Sequence, residues 1–152
     1  MSKNSLIIPK SSNMAAEGRF SVKMAAAADL VMVNSIVASA VSSWPVPVRL
    51  KRLSLPLLQY SEADLAEFQC FVLDQSGSGK GVAVLSKDTA FMGKHESRCA
   101  LLHGLYVEAD VQRTGVGRFL QQTVARSARE SGCEGLLVKA QRVSRSYFEA
   151  QG

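Results

Sequence analysis

The heptapeptide Gln112-Arg113-Thr114-Gly115-Val116-Gly117-Arg118, QRTGVGR, follows the apolar run ALLHGLYV and precedes an amphipathic repeat. Two glycines one residue apart, between arginines, at a strand-to-helix turn suit a bound phosphate. The first amide N–H groups of a helix have no intrahelical partner and point outwards, and the helix dipole adds partial positive charge there. Glycine lets an anion approach the backbone, and Arg113 and Arg118 can add charge-assisted contacts. A tight turn alone would need the glycines only for geometry; glycines, arginines and context together favour an anion site. Two better-known phosphate loops are excluded. Leu120 stands where a GxGxxG fingerprint needs its third glycine, and SGSGKG has Asp74 and Gly81 where a P-loop needs glycine and a hydroxyl residue.

The elements that must position this turn alternate in type. RFSVKMA reads as a first strand, and Asp29 is placed to cap a helix running to about Ser43, with Leu30, Val33, Ile36 and Val37 at helical spacing. Pro45 and Pro47 break it, and RLKRLSLPLL reads as a short second helix ending near Pro56. AEFQCFVLD (66–74) alternates as a strand with Phe68, Cys70 and Val72 on one face. QSGSGKG (75–81) reads as a flexible turn, and GVAVLS (81–86) as the returning strand of a hairpin. A polar loop, KDTAFMGKHESR, leads to the strand CALLHGLYV (99–107). Beyond the glycine turn, Val116, Leu120, Val124 and Ala128 form the apolar side of a helix that Gly132 stops. EGLLVKA (134–140) reads as a strand, and VSRSYFEA begins another helix.

A chain of 152 residues, 47% hydrophobic and 20% charged, suits one globular domain with a sizeable core. Residues 1–18 read as a loose, flexible N-terminal arm, and 19–152 as the domain. Three cysteines without a CxxC pair, and two histidines, argue against a disulfide framework or a metal site. Reduced thiols in a cytoplasmic protein are the expectation. MAAAADLVMVNSIVASA imitates a signal peptide, but Asp29 and Asn34 interrupt it, so it reads as folded structure rather than leader or membrane span. The net charge of +5 permits an anionic partner.

The series LLHGLYV, EADVQRTGVGRFL, helix, GLLVKA and YFEAQG resembles the GNAT superfamily of N-acetyltransferases. Their turn reads Gln/Arg-x-x-Gly-x-Gly/Ala, matched by Gln112, Gly115 and Gly117. The likeness covers roughly residues 20–152 and is specific from about residue 99 onward. It implies an α/β fold, a mixed, mostly antiparallel sheet flanked by helices, of the acyl-CoA N-acyltransferase type. It also implies acetyl-CoA as cosubstrate, without a metal. Gln112, Arg113, Thr114, Gly115, Val116, Gly117 and Arg118 would hold its pyrophosphate. The backbone of Leu105, Tyr106 and Val107 would pair with the pantetheine arm, and Gln141 falls where the family often has an asparagine beside it. The resemblance further implies that the chain ends before the family's last two strands, leaving a sheet edge that invites a homodimer.

The implied reaction is direct attack of a small-molecule amine on the thioester, needing a general base and oxyanion donors. His103, expected to share a strand side with Leu101 and Leu105, is the base candidate, equally readable as a core histidine; Glu108 is a second. The family's usual tyrosine acid falls on Phe148, which has no proton to give. Either the adjacent Tyr147 reaches in, water protonates the thiolate, or no side-chain acid acts. A catalytically degenerate acyl-CoA binder is an alternative. A nucleic-acid binder using Arg49, Lys51, Arg52, Arg113, Arg118, Arg126 and Arg129 is another, but no base-reading motif or aromatic stacking pair accompanies them. The expectation is therefore neither nucleic acid nor membrane as partner.

Overall fold

The computed structural model describes residues 20–86, 91–92 and 98–138. Among these, one sheet contains β1 (Phe20–Met24), β2 (Phe68–Gln75), β3 (Ser78–Ser86), β4 (Phe91–Met92), β5 (Arg98–Val107) and β6 (Gly135–Val138). Its order is β1-β2-β3-β5-β4, with β6 on the other side of β5. Every pairing is antiparallel except β5 with β6, so the sheet is mixed and mostly antiparallel, as expected. β4 lies inside the segment expected to be a polar loop. Its two residues pair through backbone with Arg98 and Cys99, a contact that side-chain polarity does not report.

Helices α1 (Leu30–Ser42), α2 (Val48–Leu58), α3 (Asp64–Glu67) and α4 (Val116–Glu130) cover the sheet on both faces. Alternate residues of each strand serve two cores. Phe71, Leu73, Ala83, Leu85, Ala100 and Leu102 meet Val116, Leu120, Val124 and Ala128 of α4. Cys70, Val72, Val82, Val84 and Tyr106 meet Val33, Ile36, Val37, Ala40 and Val41 of α1 on the opposite face. Burial of each such apolar side chain stabilises the fold by roughly 1.5–3 kcal/mol before entropy is counted. α2 and α4, which carry Arg49, Lys51, Arg52 and Arg118, Arg126, Arg129, therefore pack on opposite faces of the sheet. Lys51, moreover, donates from Nζ to the Ser42 carbonyl at 2.7 Å.

Local departures from expectation have local causes. Asp29 does precede α1, but its carboxylate turns back to accept from the Ala26 N–H at 2.9 Å and from Lys23 Nζ at 3.1 Å. It caps a short 3-10 turn (Ala27–Asp29) rather than α1. α2 runs through Pro56 to Leu58, since a proline this near the end removes only one hydrogen bond, and Gln59 N–H to Leu55 O (3.2 Å) closes the last turn. The β2–β3 turn is a two-residue reversal at Ser76 (φ 54°) and Gly77 (φ 87°), with Asp74 Oδ2 accepting from the Gly77 N–H. That left-handed pair matches the twist of the strands, so β3 begins at Ser78, earlier than expected. α4 ends as expected at Gly132 (φ 92°), where Gly132 N–H meets Arg129 O and Cys133 N–H meets Ala128 O.

Candidate active site

β5 carries an extra residue. Val84 pairs with Gly104 and Leu85 with Leu102, so His103 has no opposite number on β3 and the strand bulges there. At such a bulge two successive side chains lean to one face. His103 accordingly meets Tyr60 and Phe68 on the α1 side, while Leu105 packs with the α4 core. The expected sharing of a strand side with Leu105 is thus corrected: two-residue alternation is interrupted between them.

The bulge also sets the ladder beyond it. Glu108 N–H donates to Lys80 O at 2.9 Å, and Gly81 stands opposite Val107. Val107 is therefore in a non-hydrogen-bonded pair, and Val82–Tyr106 in a hydrogen-bonded one. The backbone N–H and C=O of Leu105 and Val107 point away from β3, whereas those of Tyr106 point into it. The backbone of Leu105 and Val107 is thus left unpaired by β3, with Val107 O accepting instead from Gln112 Nε2, while that of Tyr106 is engaged in the ladder. Among the described residues β6 reaches only Leu102, paired with Val138, and no described residue of β6 pairs with Leu105, Tyr106 or Val107.

His103 sits in an aromatic enclosure. Its Nδ1 lies 3.2 Å from the Tyr60 hydroxyl, and the Phe68 ring centroid lies 4.5 Å from its own. Tyr60 and Tyr106 lie together on this face, both against the bare backbone of Gly104. Burial drives the Tyr60 hydroxyl pKa far above the ordinary phenol range and raises that of Tyr106, so both stay protonated near neutrality. Gly104 makes room for the pair. A Cβ there would lie 2.7 Å from the Tyr60 hydroxyl oxygen and 2.7 Å from Tyr106 Cε2. Asn34 of α1 fixes Tyr60 from behind, donating to its carbonyl at 2.9 Å and accepting from its N–H at 2.8 Å.

Five residues past the bulge the chain leaves the sheet, makes a 3-10 turn at Ala109–Val111 and enters α4 through the glycine turn. Gly115 (φ 94°) is the residue before α4, and no side chain caps the helix there. Arg113 holds φ 68°, and Arg113, Thr114, Gly115 and Arg118 are exposed. Neither arginine has an ion-pair partner among the described residues. The Gln112 side chain, though exposed, folds back on the chain, donating from Nε2 to Val107 O at 3.1 Å and to Ser43 Oγ at 3.0 Å. With Ala109 N–H on Ser39 Oγ (3.0 Å), it ties the turn to the end of α1. Thr114 Oγ1 donates to the Val111 carbonyl, and Val116 is fully buried. Both shape the turn from within.

His103 thus lies about 13 Å along β5 from the strand's end at Val107, beyond which the chain turns into α4. Glu108, half-buried, stands at the far end of β5 and is not beside His103. Tyr147 and Gln141 lie outside the described residues. Tyr60, Phe68 and Asn34 were not foreseen. The available signal was Gly104, since an isolated glycine inside a strand marks a bulge or a close approach. Among the described residues no three His, Cys, Asp or Glu side chains converge as metal ligands, and no helix is long and apolar enough to cross a membrane.

A family model described as the acetyltransferase (GNAT) family matches residues 34–152. No curated protein matches the chain by sequence. Among solved structures, the chain is similar to the aminoglycoside N-acetyltransferase AAC(6')-Iy in complex with CoA: 14% identity, 87% of this chain and 84% of that one covered, TM-score 0.60. It is similar to the ribosomal-protein-alanine N-acetyltransferase of Brucella melitensis biovar Abortus 2308 at 16% identity, covering 88% and 90%, with TM-score 0.61. An aminoglycoside acetyltransferase from an uncultured soil metagenomic sample, in complex with sisomicin, gives 18%, 89% and 86%, and TM-score 0.57. At these identities the structures speak for the fold.

Proposed function

The chain belongs to the acetyltransferase (GNAT) family and is by family an N-acetyltransferase, and from that premise we propose that it transfers the acetyl group of acetyl-CoA to a small-molecule amine. The observation that carries the acetyl-CoA assignment is the uncapped start of α4 opening beside the outward-facing backbone of Leu105 and Val107. Anion, extended polar arm and reacting group would find their partners in order from the start of α4 back along β5.

In this reading the first-turn N–H groups from Val116 onward bind the pyrophosphate, with Gly115 and Gly117 permitting close approach. Arg113 and Arg118 add charge, and Gln112 and Thr114 hold the loop in shape. Leu105 and Val107 present backbone groups to the pantetheine arm as a strand edge does. Acetyl-CoA supplies the activated acyl group as a thioester. His103, rather than Glu108, takes the proton of the incoming ammonium, because it lies on the strand upstream of the turn while Glu108 sits beside it. The freed nitrogen attacks the carbonyl carbon, the C–S bond breaks, and CoA leaves as a thiolate. Gln141 beside the cofactor remains part of the proposal on the family pattern alone, and Tyr147 as proton donor only as the neighbour of Phe148, where that pattern has its tyrosine; water is the other source of that proton. A small-molecule acceptor is supported by the aminoglycoside enzymes among the structural neighbours.

A thermal-shift series with acetyl-CoA, CoA and dephospho-CoA tests the assignment. A ligand bound only to the folded chain, at about a hundred times its Kd, stabilises it by roughly 2.7 kcal/mol. No shift in a cooperatively melting protein would sink the reading. His103→Ala should lower turnover by about 10²-fold or more while leaving the acetyl-CoA shift in place. Binding without any turnover of amines would favour the degenerate acyl-CoA binder instead.

A further inference from the structure

We propose that α2 is a lipid-docking helix, which lies along an anionic membrane surface with Leu50, Leu53 and Leu57 turned into it and Arg49 and Arg52 on the headgroups. Six large apolar side chains stay exposed among the described residues, and four of them are on this one helix: Val48, Leu50, Leu53 and Leu57, each at least 50% exposed. A fifth, Val31, lies one turn before Asn34 on α1, and Asn34 is bonded to Tyr60 just beyond α2. It therefore stands at the same end of the α1–α2 pair as Leu57. Exposed apolar residues scattered singly need no explanation, but a cluster rimmed by polar groups marks an interaction surface.

The spacing gives the helix two apolar lines. Leu55 and Leu58 pack towards the α1-side core, while Leu50, Leu53 and Leu57, at i, i+3 and i+7, form a second line that stays exposed. Arg49 and Arg52 occupy the side next to that second line, both exposed and without an ion-pair partner among the described residues. From Leu30 to Ser61 the chain has no aspartate or glutamate, so the helix and its flanks carry charge of one sign. An anionic bilayer suits both lines of chemistry: acyl chains receive the leucines, and headgroup phosphates receive the guanidinium groups. Other occupants satisfy half of this. A nucleic acid would meet the arginines and leave the leucines in water. A second copy of the chain, pairing the patch with itself, brings no acid to the arginines. Four side chains also fall far short of the roughly 20–30 residues a side of a specific interface. Lying on a bilayer differs from crossing one, for which no described helix is long and apolar enough. The proposal replaces the sequence-based expectation of no membrane partner.

Vesicle cosedimentation of the full chain, without acetyl-CoA, tests this independently of the catalytic reading. The chain should bind phosphatidylcholine vesicles that contain roughly 30 mol% phosphatidylserine, bind pure phosphatidylcholine at least about 10-fold more weakly, and release as salt rises. Leu53→Ser with Leu57→Ser should lower binding by about 10-fold or more, since the burial of two leucines is lost. Both residues are exposed, so an unchanged melting temperature checks that this variant folds. Arg49→Gln with Arg52→Gln should weaken binding by about 10- to 30-fold. Arg126→Gln with Arg129→Gln, from α4 across the sheet, removes the same charge and should change binding by less than about 3-fold. No binding to the phosphatidylserine vesicles would overturn the proposal, as would leucine variants that bind as the wild type does. An equal loss with the α4 pair would also overturn it, because net charge alone would then hold the chain to the surface. Self-association that the leucine variant abolishes, with no lipid binding, would give the face to a second copy instead.

Discussion

Replacing Gly104 by alanine tests the enclosure directly. The new methyl carbon would sit 2.7 Å from the Tyr60 hydroxyl oxygen and 2.7 Å from Tyr106 Cε2, against an ordinary contact of 3.4 Å or more. Neither neighbour can swing into solvent, because Tyr60 is 8% and Tyr106 6% exposed. Overpacking of this kind costs about 1–3 kcal/mol. Displacing Tyr60 from His103 adds roughly 0.5–1.5 kcal/mol for the lost hydrogen bond. Against this, alanine in a strand gains about 0.5–1 kcal/mol over glycine. The net is a loss of about 0.5–4 kcal/mol, and its middle value of about 2 kcal/mol corresponds to roughly 4–8 °C in Tm for a chain of this size. Calorimetry or urea unfolding measures it, with Trp44, the single tryptophan and part of the α1-side core, as fluorescence probe. Gly135→Ala is the control: its nearest neighbour, Cys99 Sγ, would be at 3.4 Å, so it should be neutral or slightly stabilising. A Gly104→Ala protein as stable as the wild type would refute the close approach of the two tyrosines to this backbone.

Gly115→Ala should cost about 1–2 kcal/mol from backbone strain alone, since its φ is 94° and a Cβ would meet nothing within 4 Å. A neutral outcome in unfolding experiments would mean the left-handed turn is absent. Asp29 has its pKa lowered by the Ala26 N–H and then by Lys23, so its contribution is present above the unfolded carboxylate value of 3.8 and lost as pH falls through the folded one. The stability gap between wild type and Asp29→Asn should close on acidification through that range, and a gap that persists would refute the capping role. Burial pushes the Cys70 thiol up to about 12, so near pH 8 it should be unreactive in the native chain. Rapid native labelling that disappears in Cys70→Ser would contradict that burial.

Where a sequence signal was local and periodic, it was legible. Val116, Leu120, Val124 and Ala128 do form the buried side of α4, and Gly132 does end it. The glycine turn lies between strand and helix as read from QRTGVGR. What escaped depended on distant partners. Tyr60 is 43 positions from His103, and nothing near either residue announces the other. β4 exists because Arg98 and Cys99 offer a ladder, not because of its own composition. The facing of Leu105 failed for a different reason: alternation assumes an uninterrupted pleat, and HGL is where the pleat is interrupted.

That interruption divides β5 into two halves of opposite parity. Before it, the even residues Ala100 and Leu102 face α4; after it, the odd residues Leu105 and Val107 do. Substituting His103 alters one side chain. Deleting it would close the bulge, because Leu102 and Gly104 already stand opposite the consecutive Leu85 and Val84. Leu105, Tyr106 and Val107 would keep both their partners on β3 and their faces, since the two successive residues on the α1 side, His103 and Gly104, would become one. The extra residue therefore adds a histidine to one face of the strand and leaves every pairing after it in place: the insertion is absorbed where it occurs.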